Sequence, residues 1–384
     1  MYDISKLPDG IEKLFLDLEN RIMSDVVRRI KKTGEITSTA DMQLLKYAAT
    51  GNSTREIQEE LRKALVMSDE ELNKIYADIV DKLYVQNESL YITLNKQFIP
   101  YESNYELQQM VNAIKLQTAS EIKNITKSMG FLVDMGYGKK VFSPFSEYYQ
   151  QILDKAVIDI ATGSFDYNTV LRKTVKEMTA SGIRTVRYES GFTNRITVAT
   201  RRATMTGIRQ LFSQMTEMNA AALGTEDFEV SAHVGARPDH QRWQGQVYSK
   251  QELVDVCGLG TGPGLCGWNC YHTYLPFVKG VSVRAYADEQ LTKMAQRDNQ
   301  TYEWDGKEMP RYELSQEQRK METLMRKQRQ DVVLLKKGWA SWEDVQIAKT
   351  KYATTLHEYQ SFCKRTKLKN QIQRVYMDGL GRIA

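Results

Sequence analysis

A chain of 384 residues with 41% hydrophobic and 26% charged side chains has the composition of a soluble globular protein with two or three cores. Its 53 Lys+Arg against 48 Asp+Glu leave a formal charge of +5, too small by itself to mark a nucleic-acid binder. No apolar run reaches the length of a membrane span, and the opening MYDISKLPDGIEKL lacks the basic and then apolar segments of a secretory signal, so an intracellular protein without a membrane partner is expected.

Residues 1–225 read as helical. Ile11, Leu14, Leu18, Ile22 and Val26 recur at steps of three and four. Capping boxes at Ser53 with Glu56 and at Ser68 with Glu71 predict two helix starts. Helical patterns continue through ESNYELQQMVNAIKL and SEYYQQILDKAVIDIATG, with Gly163 as a stop, and through DYNTVLRKTVKEMTASGI, with Gly182 as another. In the segment from Arg195 to Asn219, Arg195, Arg201, Arg202 and Arg209 read as a solvated helix face.

The texture changes over 226–285. Phe228, Val230, Ala232 and Val234 alternate as in a strand, glycines accumulate at 235, 245, 258, 260, 262, 264 and 267, and three of the four cysteines fall here. This predicts a small β-rich module short of apolar content. Residues 286–384 return to helix. A capping box at Ser315 and Gln318 precedes Met321, Met325, Gln328, Val332 and Leu335; Gly338 stops that helix and Ser341 caps the next. Val345, Ala348, Tyr352, Leu356, Tyr359 and Phe362 form its seam, so the two make an antiparallel hairpin whose length also suits a partner. The whole is an α+β chain, mainly helical. It closes on a basic tail, Lys364, Arg365, Lys367, Lys369 and Arg374, able to neutralise phosphate but without the interleaved aromatics of a single-strand binder.

Chemistry concentrates in the middle module. Cys257, Cys266 and Cys270 join His233, His240 and His272, three of the chain's four histidines. Zinc takes four such ligands and adds folding energy to a module short of core. Cys270 and His272, two apart on an extended strand, would face one ion together, and Gly267 would let the turn bring Cys266 to it. The competing interpretation is buried thiols and hydrogen-bonded imidazoles packed around Trp243 and Trp268. A cysteine nucleophile with a histidine base lacks a recognisable third, orienting residue. An HNH-type nuclease needs a helix that TYLPF does not supply. GLGTGPG, with no Gly-Lys-Ser/Thr after it, reads as a flexible connection rather than a phosphate loop. His357 and Cys363 read as structural, and no carboxylate pair stands out.

Several stretches together resemble the minor capsid protein 2 family of tailed phages, related to the Mu F-like head morphogenesis proteins. They are RYESGFTNRITVATRRATMTGIRQ, SAHVGARPDHQRWQGQVYS, GTGPGLCGWNCYHTYLPF and YQSFCKRTKLKNQIQRVYMDGLGR. In the Mu F-like relatives a Cys-rich motif precedes an Asp-Gly turn, and a Pro-Asn-Cys-Arg-Cys-like element follows. Trp243-Gln244-Gly245 resembles that turn and puts His240 where a cysteine often stands. Asn269-Cys270-Tyr271-His272 resembles the later element, with His272 in place of its second cysteine. The resemblance implies a structural zinc on His240, Cys266, Cys270 and His272, with Cys257 and His233 in reserve. It also implies a non-enzymatic virion protein at the portal vertex, serving head assembly and DNA packaging or delivery. Its partners would be the portal protein, the major capsid protein and, through the basic tail, packaged DNA. The rival is a metal-dependent nuclease or a toxin-like enzyme; the helical C-terminal hairpin, which carries no catalytic constellation, counts against the toxin.

Overall fold

Apolar steps of three and four organise the first long helix, Asp9–Gly34, in the computed structural model, which describes residues 4–34, 39–135, 139–161, 164–186 and 191–383. Ile11, Phe15, Leu18, Ile22, Val26 and Ile30 are buried along it. The chain divides into two units. The first, here the hairpin unit, comprises residues 9–69, 121–202 and 318–384.

The hairpin unit holds a four-stranded antiparallel sheet. Strands β1 (Met129–Asp134), β2 (Lys140–Pro144), β3 (Arg184–Val186) and β4 (Thr193–Arg195) lie in the order β2-β1-β3-β4. Phe131↔Ser143 and Gly130↔Arg184 set the register of β1 with its two neighbours. The helices Phe145–Ala161 and Tyr167–Ser181 bury Tyr148, Tyr149, Leu171 and Val175. Asp166 caps the second by accepting from the Thr169 amide, and Gly182 ends it at positive φ.

The predicted hairpin is present. Helix Arg311–Lys337 and helix Trp342–Thr366 run antiparallel, as the Gln318–Cys363 and Gln328–Thr355 bonds show. Met321, Met325, Val332 and Leu335 are buried on one, and Val345, Ala348, Tyr352, Tyr359 and Phe362 on the other. Ser341 caps the second helix. The basic tail does not trail away. Asp378 is buried and takes a bidentate bond from Arg329 at 2.6 and 3.0 Å, while Arg329 also donates to the Gly381 carbonyl.

The second, cysteine unit comprises residues 1–8, 70–120 and 203–317. Its helical part is sealed by buried polar pairs such as Tyr76 with Thr118 at 2.8 Å and Tyr91 with Asn219 at 3.0 Å. Residues 226–285 fall inside it. They form a three-stranded antiparallel sheet of β5 (Asp227–Val230), β6 (Val247–Ser249) and β7 (Tyr274–Pro276), ordered β6-β5-β7. A separate ribbon pairs β8 (Thr301–Trp304) with β9 (Lys307–Pro310).

Several local expectations are corrected. One helix, Thr39–Leu83, runs through both Ser53 and Ser68, so neither is a cap; Ser68 is buried within it. Ser315 likewise lies inside a helix and donates to the Tyr312 carbonyl. In both places the local cap signal yields to a helix that continues on either side. The strand of the FEVSAHV stretch ends at Val230, short of Ala232 and Val234. Gly163 lies outside the described residues. Gly338 does follow the helix end, but Trp339 takes the left-handed conformation (φ 55°). The glycine instead serves close packing, since a Cβ there would stand 2.6 Å from Leu171.

Candidate metal centre

The sheet explains why two distant histidines meet. Val230 at the end of β5 pairs with Tyr274 at the start of β7, and Ser231 and Thr273 continue the pairing with bonds of 2.8 Å. The chain leaving β5 (residues 231–246) and the chain entering β7 (residues 256–273) therefore lie at one end of the sheet. The first segment makes the short helix Pro238–Gln241, with proline at its first position, and this carries His240 inward. The second supplies Cys257, Cys266, Cys270 and His272. Beneath them Phe228, Val230, Trp243, Leu253, Cys257, Leu265, Cys270 and Tyr274 form an apolar cluster, so the module has a core of its own.

Three of the four expected ligands converge. One donor atom each from His240, Cys270 and His272 lies within 4.8 Å of the others, and all three side chains are buried. Cys270 Sγ is 3.6 Å from His272 Nδ1. The two precede β7 rather than sit on a strand, and they converge nonetheless. Cys266 is not among the three; its Sγ lies 3.7 Å from the His272 carbonyl, and the residue stays partly exposed. The backbone turn there is made by Cys266 itself, at φ 59°, rather than by Gly267. Gly267 is small because a Cβ would stand 2.2 Å from the Gly262 carbonyl oxygen. Cys257 belongs to the apolar cluster, and the His233 ring stacks on His272 with centroids 4.4 Å apart. Trp268, expected as an aromatic anchor of this packing, is instead 73% exposed.

The bonds around His272 decide which of its nitrogens carries a proton. Gln244 is buried and its Oε1 faces the His233 backbone N–H at 3.0 Å, a group that can only donate. The same oxygen lies 3.1 Å from His272 Nε2, which must therefore carry hydrogen and leave Nδ1 with its lone pair toward Cys270. His240 Nε2 lies 2.8 Å from the Pro263 carbonyl, an acceptor, and also meets Arg237 Nη2, an obligate donor, so the contacts of that ring are compatible with either tautomer. Arg237 contacts the same carbonyl and ring nitrogen, and Arg209 donates to the Cys270 carbonyl. An amide or carbonyl holding the far nitrogen of a histidine is the usual support of a metal-binding imidazole. The residues present thus fit a soft divalent ion.

Gln244 also supplies the third residue that a cysteine nucleophile was missing, so Cys270, His272 and Gln244 form a line resembling a thiol triad. Energetics oppose that chemistry in the metal-free protein. Burial pushes the Cys270 thiol above its ordinary 9, and burial, helped by His233, His240 and Arg237, pulls His272 down to about 2. Burial thus opposes moving the proton from sulfur to nitrogen at both ends of the pair. Burial likewise raises Cys257 and Cys266 to about 12 and lowers His240. The imidazoles are held neutral, as ligands must be, whereas the thiols are poor nucleophiles.

Sequence reasoning missed Gln244, Arg209 and Arg237. Gln244 carried no signal beyond its place beside Trp243. Arg209 and Arg201 were grouped as solvated, but Arg209 grips the Cys270 carbonyl and Arg201 pairs with Asp9 and Glu12 at 2.8 and 3.0 Å. The GLGTGPG loop is not loose either. Thr261 Oγ1 donates to the Gly258 carbonyl and accepts from Gly264 N–H, and the Trp268 amide donates to Gly262.

Fold and site define a mainly helical α+β protein in which three side chains able to hold a metal, His240, Cys270 and His272, form one buried set. Residues 2–364 match the family model Phage minor capsid protein 2, and the chain belongs to that family. The match reaches through the N-terminal helices, beyond the latter half where the sequence resemblance lay. No curated protein and no solved structure matches the chain. Among the described residues no helix is long and apolar enough to cross a membrane.

Proposed function

We propose that the chain is a non-enzymatic structural component of the phage head at the portal vertex, supporting head assembly and DNA packaging or delivery, with a zinc ion stapling its β-rich module. The observation that carries the zinc is the convergence of His240, Cys270 and His272, with His272 Nδ1 left bare toward Cys270 while Gln244 holds its Nε2. Cys266, whose sulfur lies beside the His272 carbonyl, is the fourth ligand in this proposal. The ion would join the segment after β5 to the segment before β7, and its chemistry would be that of a fold-stabilising Lewis acid with no open reaction position. The portal and major capsid proteins are the proposed partners, with the basic tail as a contact for packaged DNA.

Two measurements test this. Protein purified without chelator should carry one zinc per chain by elemental mass spectrometry, and Cys270→Ala should carry none; a metal-free native protein removes the staple. Co-expression with the portal protein of the same phage should yield an assembly visible by native mass. A purified chain that cleaves DNA, with the cleavage lost in Cys270→Ala, would replace the structural reading by the nuclease.

A further inference from the structure

In the hairpin unit the link between the two long C-terminal helices presents two large aromatic rings to solvent. Trp339 is 68% exposed and Trp342 is 72% exposed. Neither exposure comes from a loose turn. Tyr167 Oη donates to the Gly338 carbonyl, Ser341 N–H donates to Asn168 at 3.0 Å, and Arg172 pairs with Asp344 at 2.8 Å. Lys31 Nζ sits 3.0 Å from the centre of the Trp339 ring, over its face. Trp339 also holds φ at 55°, a conformation that is costly for bulky residues and that persists where the surroundings impose it. A rigid turn that aims two tryptophans outward is the arrangement of an interface anchor, because little ordering entropy remains to be lost on binding.

The electrostatics indicate what the anchor meets. Lys336 and Lys337 immediately precede the turn and Lys31 lies on the ring, while the N-terminus of helix Trp342–Thr366 adds its positive end. Of the two acids in the first turn of that helix, Asp344 is paired with Arg172. Lys337 donates to Ser24 at 2.8 Å, so Lys31 and Lys336 stand with Glu343 as the remaining charges of this group, and the balance is positive. A single strand of nucleic acid would want a groove along which its backbone can run. A projecting turn suits a pocket.

We infer that the turn from Gly338 to Trp342 is a docking knob whose two tryptophans enter an apolar pocket rimmed by carboxylates on another protein of the phage head. The inference rests on the proposal that the chain is a head component, and it names the surface used. The test supplies the full chain in trans to infections by a phage lacking the gene, then measures chain per purified head by quantitative mass spectrometry. The double variant Trp339→Ser/Trp342→Ser should fold with an unchanged circular dichroism spectrum and fall at least tenfold in heads. Lys336→Glu/Lys337→Glu should fall at least threefold, and Trp268→Ser, an exposed tryptophan of the other unit, should stay at the wild-type level. Wild-type incorporation of the double tryptophan variant overturns the knob and leaves the head assignment standing. Absence of the wild-type chain from heads overturns both. Saturable, salt-sensitive quenching of the purified chain's fluorescence by a thirty-residue oligo(dT), lost in the double variant, would assign the surface to nucleic acid and overturn a protein partner.

Discussion

Replacing Gln244 with leucine isolates the support of the proposed metal centre without touching a ligand. The Gln244 oxygen accepts from the part-buried His233 amide at 3.0 Å and from the buried His272 Nε2 at 3.1 Å. Leucine leaves the buried His272 donor without an acceptor, costing about 1–3 kcal/mol, and removes the part-buried bond of the His233 amide, worth about 1 kcal/mol, so the metal-free protein should lose about 2–4 kcal/mol. With the His272 ring no longer held, zinc affinity should fall about 10–100-fold, or about 1.4–2.7 kcal/mol. Urea unfolding of chelator-treated protein reads the first quantity, and competition with a chromophoric chelator reads the second. Gln244→Glu is the control: its carboxylate still accepts from both donors and should recover most of the stability. A leucine variant within about 0.5 kcal/mol of wild type, with zinc affinity unchanged, would show that the tautomer argument is wrong.

Breaking the tail clamp by Asp378→Ala strands the buried Arg329 charge and should cost about 3–5 kcal/mol in urea unfolding. Adding Arg329→Met should recover most of that loss, and no recovery would mean that the charge is not what hurts. Burial raises the Glu322 carboxyl above its ordinary 4.5, against the pull of Arg374 and the Tyr359 hydroxyl. A raised folded pKa gives stability that is complete below about 4.5 and is lost as pH rises through the folded value. A glutamine side chain does not titrate, so Glu322→Gln should gain on wild type as pH rises from about 4.5 to about 8; a gain that shrinks over that range contradicts the burial argument. With thiols near 12, only about one Cys257 or Cys266 in ten thousand is ionised at about pH 8. Iodoacetamide should therefore label these sites in chelator-treated protein only after unfolding, and prompt labelling of the native chain would refute it.

What the sequence disclosed followed from periodicity and from rare residue types. The hairpin was legible because Met321, Met325, Val332 and Leu335 on one helix and Val345, Ala348, Tyr352, Tyr359 and Phe362 on the other keep helical spacing over several turns. The helix boundaries at Ser53, Ser68 and Ser315 were not, because a serine three residues before an acid or amide is a cap only where the chain actually turns. Soft ligands are scarce, so crowding marked the six donors Cys257, Cys266, Cys270, His233, His240 and His272, and the resemblance narrowed them to four, of which His240, Cys270 and His272 converge. Gln244 and Arg209 were out of reach, since a glutamine or arginine that turns inward looks in sequence like one that faces water. Trp268 misleads in the other direction: a large ring among cysteines and histidines suggests a packing centre, and only Trp243 is one.

The nonapeptide GLCGWNCYH permits a metal knuckle or a thiol with its base, because both chemistries need the same sulfur beside the same imidazole. Spacing cannot separate them, and neither can the distance of 3.6 Å between Cys270 and His272. Desolvation does. A nucleophile needs the charged pair to be favoured, and an exposed, cation-flanked site provides that. Here both groups are sealed in, which drives the thiol up and the imidazole down, so the pair stays neutral. A divalent cation reverses the balance at the sulfur, because its charge replaces the proton that burial otherwise retains. The same burial that silences the cysteine as a catalyst therefore favours the site as a place where metal and fold depend on each other.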